Sequence, residues 1–115
     1  METQEGKNLP VIHCVEGTYC WQLDEKIEAA LPAGSSVLNK PTFGSVELAK
    51  ALEDYDEVDM VGVCTGICVI SNALVIKAFH PKMKINVIER ATACVTPESK
   101  KTALEAMKLC HINIK

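Results

Sequence analysis

Apolar and polar residues alternate along this chain in short blocks that predict strands separated by helices. The run 58–63 is short, apolar and rich in β-branched residues, which favours a buried strand, and 67–79 is long and apolar enough for a buried helix. Shorter apolar segments predict further strands at 9–14, 36–39, 85–88 and 112–114. Because helices separate the strands, the pattern predicts an α/β fold with three layers, a parallel sheet with helices on both faces.

Start and stop signals bound the other predicted helices. A modest helical stretch covers 22–30 and ends at a Leu-Pro-Ala-Gly sequence. Ser45 is a predicted N-cap for a helix that runs to about Glu53. Thr96 followed by Pro97 is a strong helix start, because threonine caps the first turn and proline fits its first position.

Composition limits the classes of protein to consider. The chain has 115 residues, 48% hydrophobic and 23% charged, which fits a single domain over residues 1–115. Its net charge of -3, with acidic and basic residues interspersed, argues against nucleic acid or an anionic membrane as the partner. The polar N-terminus lacks the apolar core of a signal peptide, so we expect a soluble, cytoplasmic protein.

Cysteines carry the candidate chemistry. The chain has six, and with no sign of secretion we expect reduced thiols rather than a disulfide framework. Their spacing does not match a structural zinc site. Cys68 should lie in the opening turn of the helix that follows the strand 58–63, where backbone N–H groups and the helix dipole favour a thiolate. The alternative is that Cys68 is one more buried cysteine, which behaves as a small hydrophobe.

A lysine provides a chemically sensible partner for this thiol. Lys40 ends the predicted strand 36–39, and reactive groups of parallel α/β sheets collect at the carboxyl ends of strands. An ammonium near a thiol stabilises the thiolate and can pass protons, so Lys40 and Cys68 form a candidate nucleophile pair. Most lysines, however, are simply solvated.

Three segments in order resemble the isochorismatase-like cysteine hydrolases, which include the nicotinamidases. They are His13-Cys14-Val15-Glu16-Gly17-Thr18, Asn39-Lys40-Pro41-Thr42-Phe43-Gly44-Ser45 and Val61-Gly62-Val63-Cys64-Thr65-Gly66-Ile67-Cys68-Val69. The resemblance covers nearly the whole chain and implies a parallel, Rossmann-like sheet. It also implies hydrolysis of a small amide or related substrate through an Asp, Lys, Cys triad.

The resemblance assigns roles to individual residues. Cys68 is the implied nucleophile and Lys40 the implied triad lysine, with a cis peptide between Val63 and Cys64. The backbone N–H groups of Cys64 and Cys68 would form the oxyanion hole. His13 matches a metal-ligand histidine of the nicotinamidases, so zinc or another divalent metal is the implied cofactor if the complete site is of that type. Trp21 is a candidate for the substrate pocket.

The family pattern also contains a first strand carrying the triad aspartate, a helix and a second strand, and these have no counterpart in this chain. We therefore expect a fold that is incomplete at its N-terminus, with exposed strand edges that invite a homo-oligomer, formed by strand swapping or sheet addition. One alternative function is a catalytically silent interaction subunit. Another is thiol redox or metal sensing by the cysteines.

Overall fold

The computed structural model describes residues 14–115, which divide after Thr42 into two compact units, described separately below. The described part of the first unit contains a 3-10 turn, Tyr19–Trp21, and helix α1, Glu25–Ala30. The Asp24 side chain accepts a hydrogen bond from the Lys26 N–H at 2.9 Å. This N-cap starts α1 three residues later than the predicted 22–30.

The strand predicted at 36–39 is wrong, because residues 35–40 form neither a strand nor a helix. A strand is defined by pairing with a neighbour, and none of the three strands found among residues 14–115 pairs with this segment. The segment predicted as a strand at 9–14 lies almost wholly outside the described residues.

The second unit, from Phe43 onward, is a parallel sheet connected by helices. Its elements in chain order are α2 (Val46–Ala51), β1 (Glu57–Val63), a wide turn (Thr65–Val69), α3 (Ile70–Phe79), β2 (Lys84–Ala93), α4 (Pro97–Leu109) and β3 (Asn113–Ile114). The spatial order of the strands is β1, β2, β3, and both neighbouring pairs are parallel. The predicted parallel α/β fold is confirmed.

Helices α2 and α4 begin at the capping residues that the sequence predicts, Ser45 and Thr96. Ser45 Oγ accepts a hydrogen bond from the Leu48 N–H at 3.1 Å. Thr96 Oγ1 accepts from the Ser99 N–H at 3.1 Å, while the Ser99 hydroxyl accepts from the Thr96 N–H at 3.0 Å. This reciprocal capping box satisfies two backbone donors that the first turn of α4 leaves without helical partners.

Strand β2 is longer than the predicted 85–88, because its pairing with β1 resumes after an irregularity. Met60 pairs with Val87, but Gly62 pairs with Thr92, so β2 accommodates extra residues between the two pairs. Gly62 has a φ of +111°, a conformation that residues with a side chain rarely adopt. The irregularity therefore depends on this glycine, just before the strand ends at Val63.

One face of the sheet packs on the helices to form the core. Ile85 and Val87 of β2 lie in a single buried cluster with Ile76 of α3 and Met107 of α4. Helix α2 contributes Ala49, whose carbonyl oxygen lies 2.6 Å from His80 Nε2 at the end of α3. No helix among residues 14–115 is long and apolar enough to cross a membrane.

A hydrogen-bonded polar cluster crosses the three strands. The fully buried Asn86 donates through Nδ2 to Glu57 at 2.8 Å and to Asp59 at 2.7 Å, and its Oδ1 accepts from Asn113 Nδ2 at 3.1 Å. Lys115 Nζ lies 3.7 Å from Glu57 and 3.6 Å from Asp59. The Asn86 side chain therefore joins β1 to β3 through β2.

These contacts predict a loss of stability in acid. The hydrogen bond from Asn86 is the main cause that lowers the pKa of Glu57 below its ordinary 4.5 and that of Asp59 below 3.8. Both carboxylates therefore stabilise the fold fully above about pH 5, and the stabilisation falls as pH drops through the ordinary values toward the lowered ones. Urea unfolding between about pH 6 and pH 3 should give a falling free energy of unfolding, with a smaller decrease in a Glu57→Gln/Asp59→Asn double variant.

Glu105→Gln is the control, because it removes an exposed carboxylate that pairs with Lys108 on α4 and is remote from Asn86. It should keep the pH dependence of the unaltered chain. Equal pH dependence in the double variant and the unaltered chain would contradict the prediction.

Candidate active site

The candidate nucleophile lies in a wide turn between β1 and α3. The peptide bond between Val63 and Cys64 is cis, which confirms the bond that the resemblance implied. The Cys64 carbonyl then accepts hydrogen bonds from the N–H groups of Ile67 at 3.0 Å and Val69 at 3.1 Å. The bond to Val69 spans five residues, which makes Thr65–Val69 a π-type turn.

Cys68 is partly buried inside this turn, two residues before α3 begins at Ile70. The expectation that it occupies the opening turn of a continuous helix over 67–79 is corrected accordingly, because the turn is closed by wider hydrogen bonds than an α-helix makes. Its position just beyond the carboxyl end of β1 is the one where reactive groups of parallel α/β sheets collect.

Asn72 holds the turn in place. Its Nδ2 donates to the carbonyl oxygen of Cys68 at 2.9 Å and to that of Phe43 at 3.2 Å. Its Oδ1 accepts from the Ser45 N–H at 2.8 Å. One side chain thus joins the segment that begins the second unit to the residue that carries the candidate thiol.

Sequence reasoning missed this residue. The apolar pattern of 67–79 gives no role to Asn72, yet this residue is 7% exposed and lies beside the buried Ala73. A buried amide must find hydrogen-bond partners, so an asparagine within a buried helix is a signal for a contact of this kind.

The close approach of residues 43–45 to α3 also depends on Gly44. A Cβ atom at this position would lie 3.2 Å from the Val75 side chain and 3.3 Å from the Ser71 carbonyl oxygen. Any side chain here would press on α3. Close packing against this helix therefore requires a glycine at this position of the Lys-Pro-Thr-Phe-Gly-Ser sequence.

Two more thiols lie near the turn. Burial raises the pKa of the Cys64 thiol, and the neighbouring Cys94 and Cys68 raise it further. A hydrogen bond from the Ser99 hydroxyl is the largest cause that lowers the pKa of Cys94, and the N–H groups of Gly66, Val95 and Thr96 add to it. Sequence reasoning assigned no role to Cys94, although it lies two residues before Thr96, the predicted start of α4.

Thr65 is an unusual buried residue in the same turn. It is fully buried, and its Oγ1 has no hydrogen-bond partner among the described residues. An unsatisfied hydroxyl costs about 1–3 kcal/mol, so other interactions of the turn must offset that cost.

The other candidates from the sequence lie in the first unit or outside the described residues. Lys40 donates from Nζ to the Thr42 carbonyl oxygen at 3.0 Å. Trp21 ends the 3-10 turn and is 38% exposed. His13 lies outside the described residues, and within residues 14–115 no three His, Cys, Asp or Glu side chains converge to hold a metal ion.

Several solved structures have a fold similar to that of this chain. The nicotinamidase of Bacillus subtilis is 23% identical with a TM-score of 0.75, over 96% of this chain and 66% of that one. An isochorismatase-like hydrolase from Alkaliphilus metalliredigens is 22% identical with a TM-score of 0.75, over 96% of this chain and 60% of that one. The pyrazinamidase of Pyrococcus horikoshii, solved in complex with zinc, is 28% identical with a TM-score of 0.66, over 90% of this chain and 60% of that one.

This chain therefore spans 60–66% of the length of these three proteins. A comparison with curated proteins finds no match. The family model described as the isochorismatase domain matches residues 2–114, almost the full length of the sequence. With its parallel α/β sheet and the cysteine turn beyond β1, the chain belongs to the isochorismatase family.

Proposed function

We propose that this protein is a cysteine hydrolase that cleaves a small amide or related substrate through the Cys68 thiolate. The observation that carries the proposal is the position of Cys68, partly exposed beyond the carboxyl end of β1 and anchored through its carbonyl oxygen by Asn72. Membership of the isochorismatase family supports a hydrolase. The nicotinamidase and the pyrazinamidase among the similar solved structures make a small aromatic amide the first substrate class to test.

In the proposed reaction, the Cys68 thiolate attacks the amide carbonyl carbon and forms a sulfur–carbon bond. The carbonyl π electrons move to oxygen, and the backbone N–H groups of Cys64 and Cys68 stabilise the oxyanion. The carbon–nitrogen bond then breaks, and the nitrogen takes a proton and leaves as ammonia or an amine. Water hydrolyses the thioester, which releases the acid and restores the thiol.

Lys40 is the proposed partner that stabilises the thiolate and passes protons, and Trp21 is the proposed aromatic contact for the substrate ring. His13 is proposed as a metal ligand only if further ligands complete its site. No step above requires a metal. We further propose a cytoplasmic location and a homo-oligomer for the protein.

The first prediction concerns the nucleophile. The 115-residue chain, incubated with nicotinamide, pyrazinamide and a panel of aliphatic amides, should release ammonia from at least one of them. Cys68→Ala should lower the turnover at least about 10³-fold, because no other group forms the thioester. Cys110→Ala is the matched control, since Cys110 is exposed at the end of α4, and it should retain activity. Unchanged turnover in Cys68→Ala, or no turnover of any amide, would reject the proposal.

A second prediction concerns Lys40. Lys40→Met should lower the turnover of the same amide roughly 10²- to 10⁴-fold, the usual loss when a proton-transfer group is removed. Lys50→Met changes the last turn of α2 and is the matched control, with activity expected to remain. Equal rates for the two variants, measured by ammonia release, would exclude a role for Lys40.

A third prediction concerns Asn72. Asn72→Ala should lower the free energy of unfolding by about 1–3 kcal/mol, because it removes the amide partners of the Ser45 N–H and the Phe43 and Cys68 carbonyls. It should also change the rate at which iodoacetamide alkylates Cys68, measured by peptide mass spectrometry. Asn113→Ala, which removes an amide from β3, should leave that rate unchanged. An unaltered alkylation rate in Asn72→Ala would show that this amide does not position the thiol.

A further inference from the structure

Two cysteines come one residue after a pair of neighbouring residues in adjacent strands. Val63 of β1 pairs with Ala93 of β2, and Cys64 and Cys94 are the next residues along the chain. Neighbouring strands are about 4.8 Å apart, and disulfides join residues whose Cα atoms are about 4.4–6.8 Å apart. The register therefore places each of them one residue beyond a paired position at the same end of the sheet, and Cys94 is near enough to raise the pKa of the Cys64 thiol. Both are partly buried rather than enclosed, so a small reagent can reach them.

The Cys94 sulfur is in contact with the turn that carries Cys68. A Cβ atom at Gly66 would lie 3.3 Å from Cys94 Sγ, so only a glycine leaves room for the sulfur at its present distance. Hydrogen bonding from the Ser99 hydroxyl, with a smaller part from the Gly66 N–H, lowers the pKa of this thiol. Cys94 lies two residues before Thr96, the N-cap of α4, and the N–H groups of Val95 and Thr96 also lower its pKa.

The surroundings of the two thiols shift their pKa values in opposite directions. The hydrogen-bond donors around Cys94 favour its thiolate, the form that reacts with oxidants, and they lower its pKa. Burial disfavours the thiolate of Cys64 and raises its pKa. This asymmetry suits a reactive cysteine beside a second cysteine that resolves the oxidised product.

We propose that Cys64 and Cys94 form a reversible disulfide when the protein meets a hydroperoxide. The Cys94 thiolate attacks the terminal oxygen of the hydroperoxide and forms a sulfur–oxygen bond. The oxygen–oxygen bond breaks, and the alkoxide that leaves takes a proton to become an alcohol. Cys94 is now a sulfenic acid. The Cys64 sulfur attacks it, the sulfur–oxygen bond breaks, and the hydroxide leaves with the Cys64 proton as water. Each sulfur loses one electron, and the peroxide gains two. A dithiol reduces the disulfide and restores both thiols.

The disulfide would lock the nucleophile turn. The Cys64 carbonyl oxygen accepts hydrogen bonds from the N–H groups of Ile67 and Val69. A crosslink at Cys64 therefore acts on the turn that contains Cys68. Reversible loss of hydrolysis on oxidation is the expected consequence, and this consequence alone rests on the proposed function. The formation of the disulfide does not.

Peptide mass spectrometry tests the disulfide without any activity assay. The full 115-residue chain is treated with tert-butyl hydroperoxide, blocked with N-ethylmaleimide and digested with trypsin. Trypsin should release residues 51–77, which contain Cys64 and Cys68, and residues 91–100, which contain Cys94. We expect these two peptides to be linked, with loss of about two thiols per chain and return of both with dithiothreitol.

Single variants identify the bonded atoms. Cys64→Ser and Cys94→Ser should each abolish the link, while Cys68→Ser and the matched control Cys110→Ser should retain it. Circular dichroism of every variant confirms that it is folded, and the two abolishing variants provide independent tests. A link that persists in Cys64→Ser, a link between two chains on a non-reducing gel, or a fully alkylated Cys94 after peroxide would overturn the proposal.

Discussion

The carboxamide of Asn72 is the interaction on which the arrangement of the candidate site depends. It joins Phe43 and Ser45, which are 29 and 27 residues away in sequence, to the Cys68 carbonyl oxygen one turn before it. An amide is suited to this position because it offers both an acceptor and two donors. A hydrophobic side chain of the same size would leave three backbone groups without these partners. The site is therefore maintained by polar contacts inside an otherwise apolar layer.

The sheet contains a second arrangement of the same kind. Asn86 is fully buried in the middle strand and connects carboxylates of β1 to an amide of β3. Parallel strands lie side by side without a hairpin to fix their register, so a side chain that contacts both neighbours helps to specify it. The two asparagines thus act at different levels, one on the register of the sheet and one on the loops at its end.

The predictable part of the fold is the part with local signals. Ser45 and the Thr96-Pro97 pair start helices through hydrogen bonds to residues three positions away, and the β-branched run 58–63 predicts the strand β1. The prediction that this strand is buried is wrong, because its residues alternate between exposed and partly buried. The segment 36–39 shows the limit of such signals, because the apolar Val37 and Leu38 form a strand only where a partner strand pairs with them. The extension of β2 to Ala93 was missed because Glu89 and Arg90 interrupt its apolar pattern.

Only part of the candidate site could be predicted from the sequence. Cys68 was identified from a strand followed by a helix, and the cis bond before Cys64 from the family resemblance. Asn72 and Cys94 were missed since their roles arise from contacts between segments distant in sequence, which neither spacing nor composition reveals.

The wide turn Thr65–Val69 also determines which side of α3 faces the core. A turn closed across five residues holds one residue more than an α-helical turn, and each residue of an α-helix advances the side-chain direction by about 100°. The turn therefore shifts the helical phase of everything that follows it. Without that shift, Asn72 and Ile76 would point elsewhere, so a one-residue deletion in this turn would alter the core and the site together.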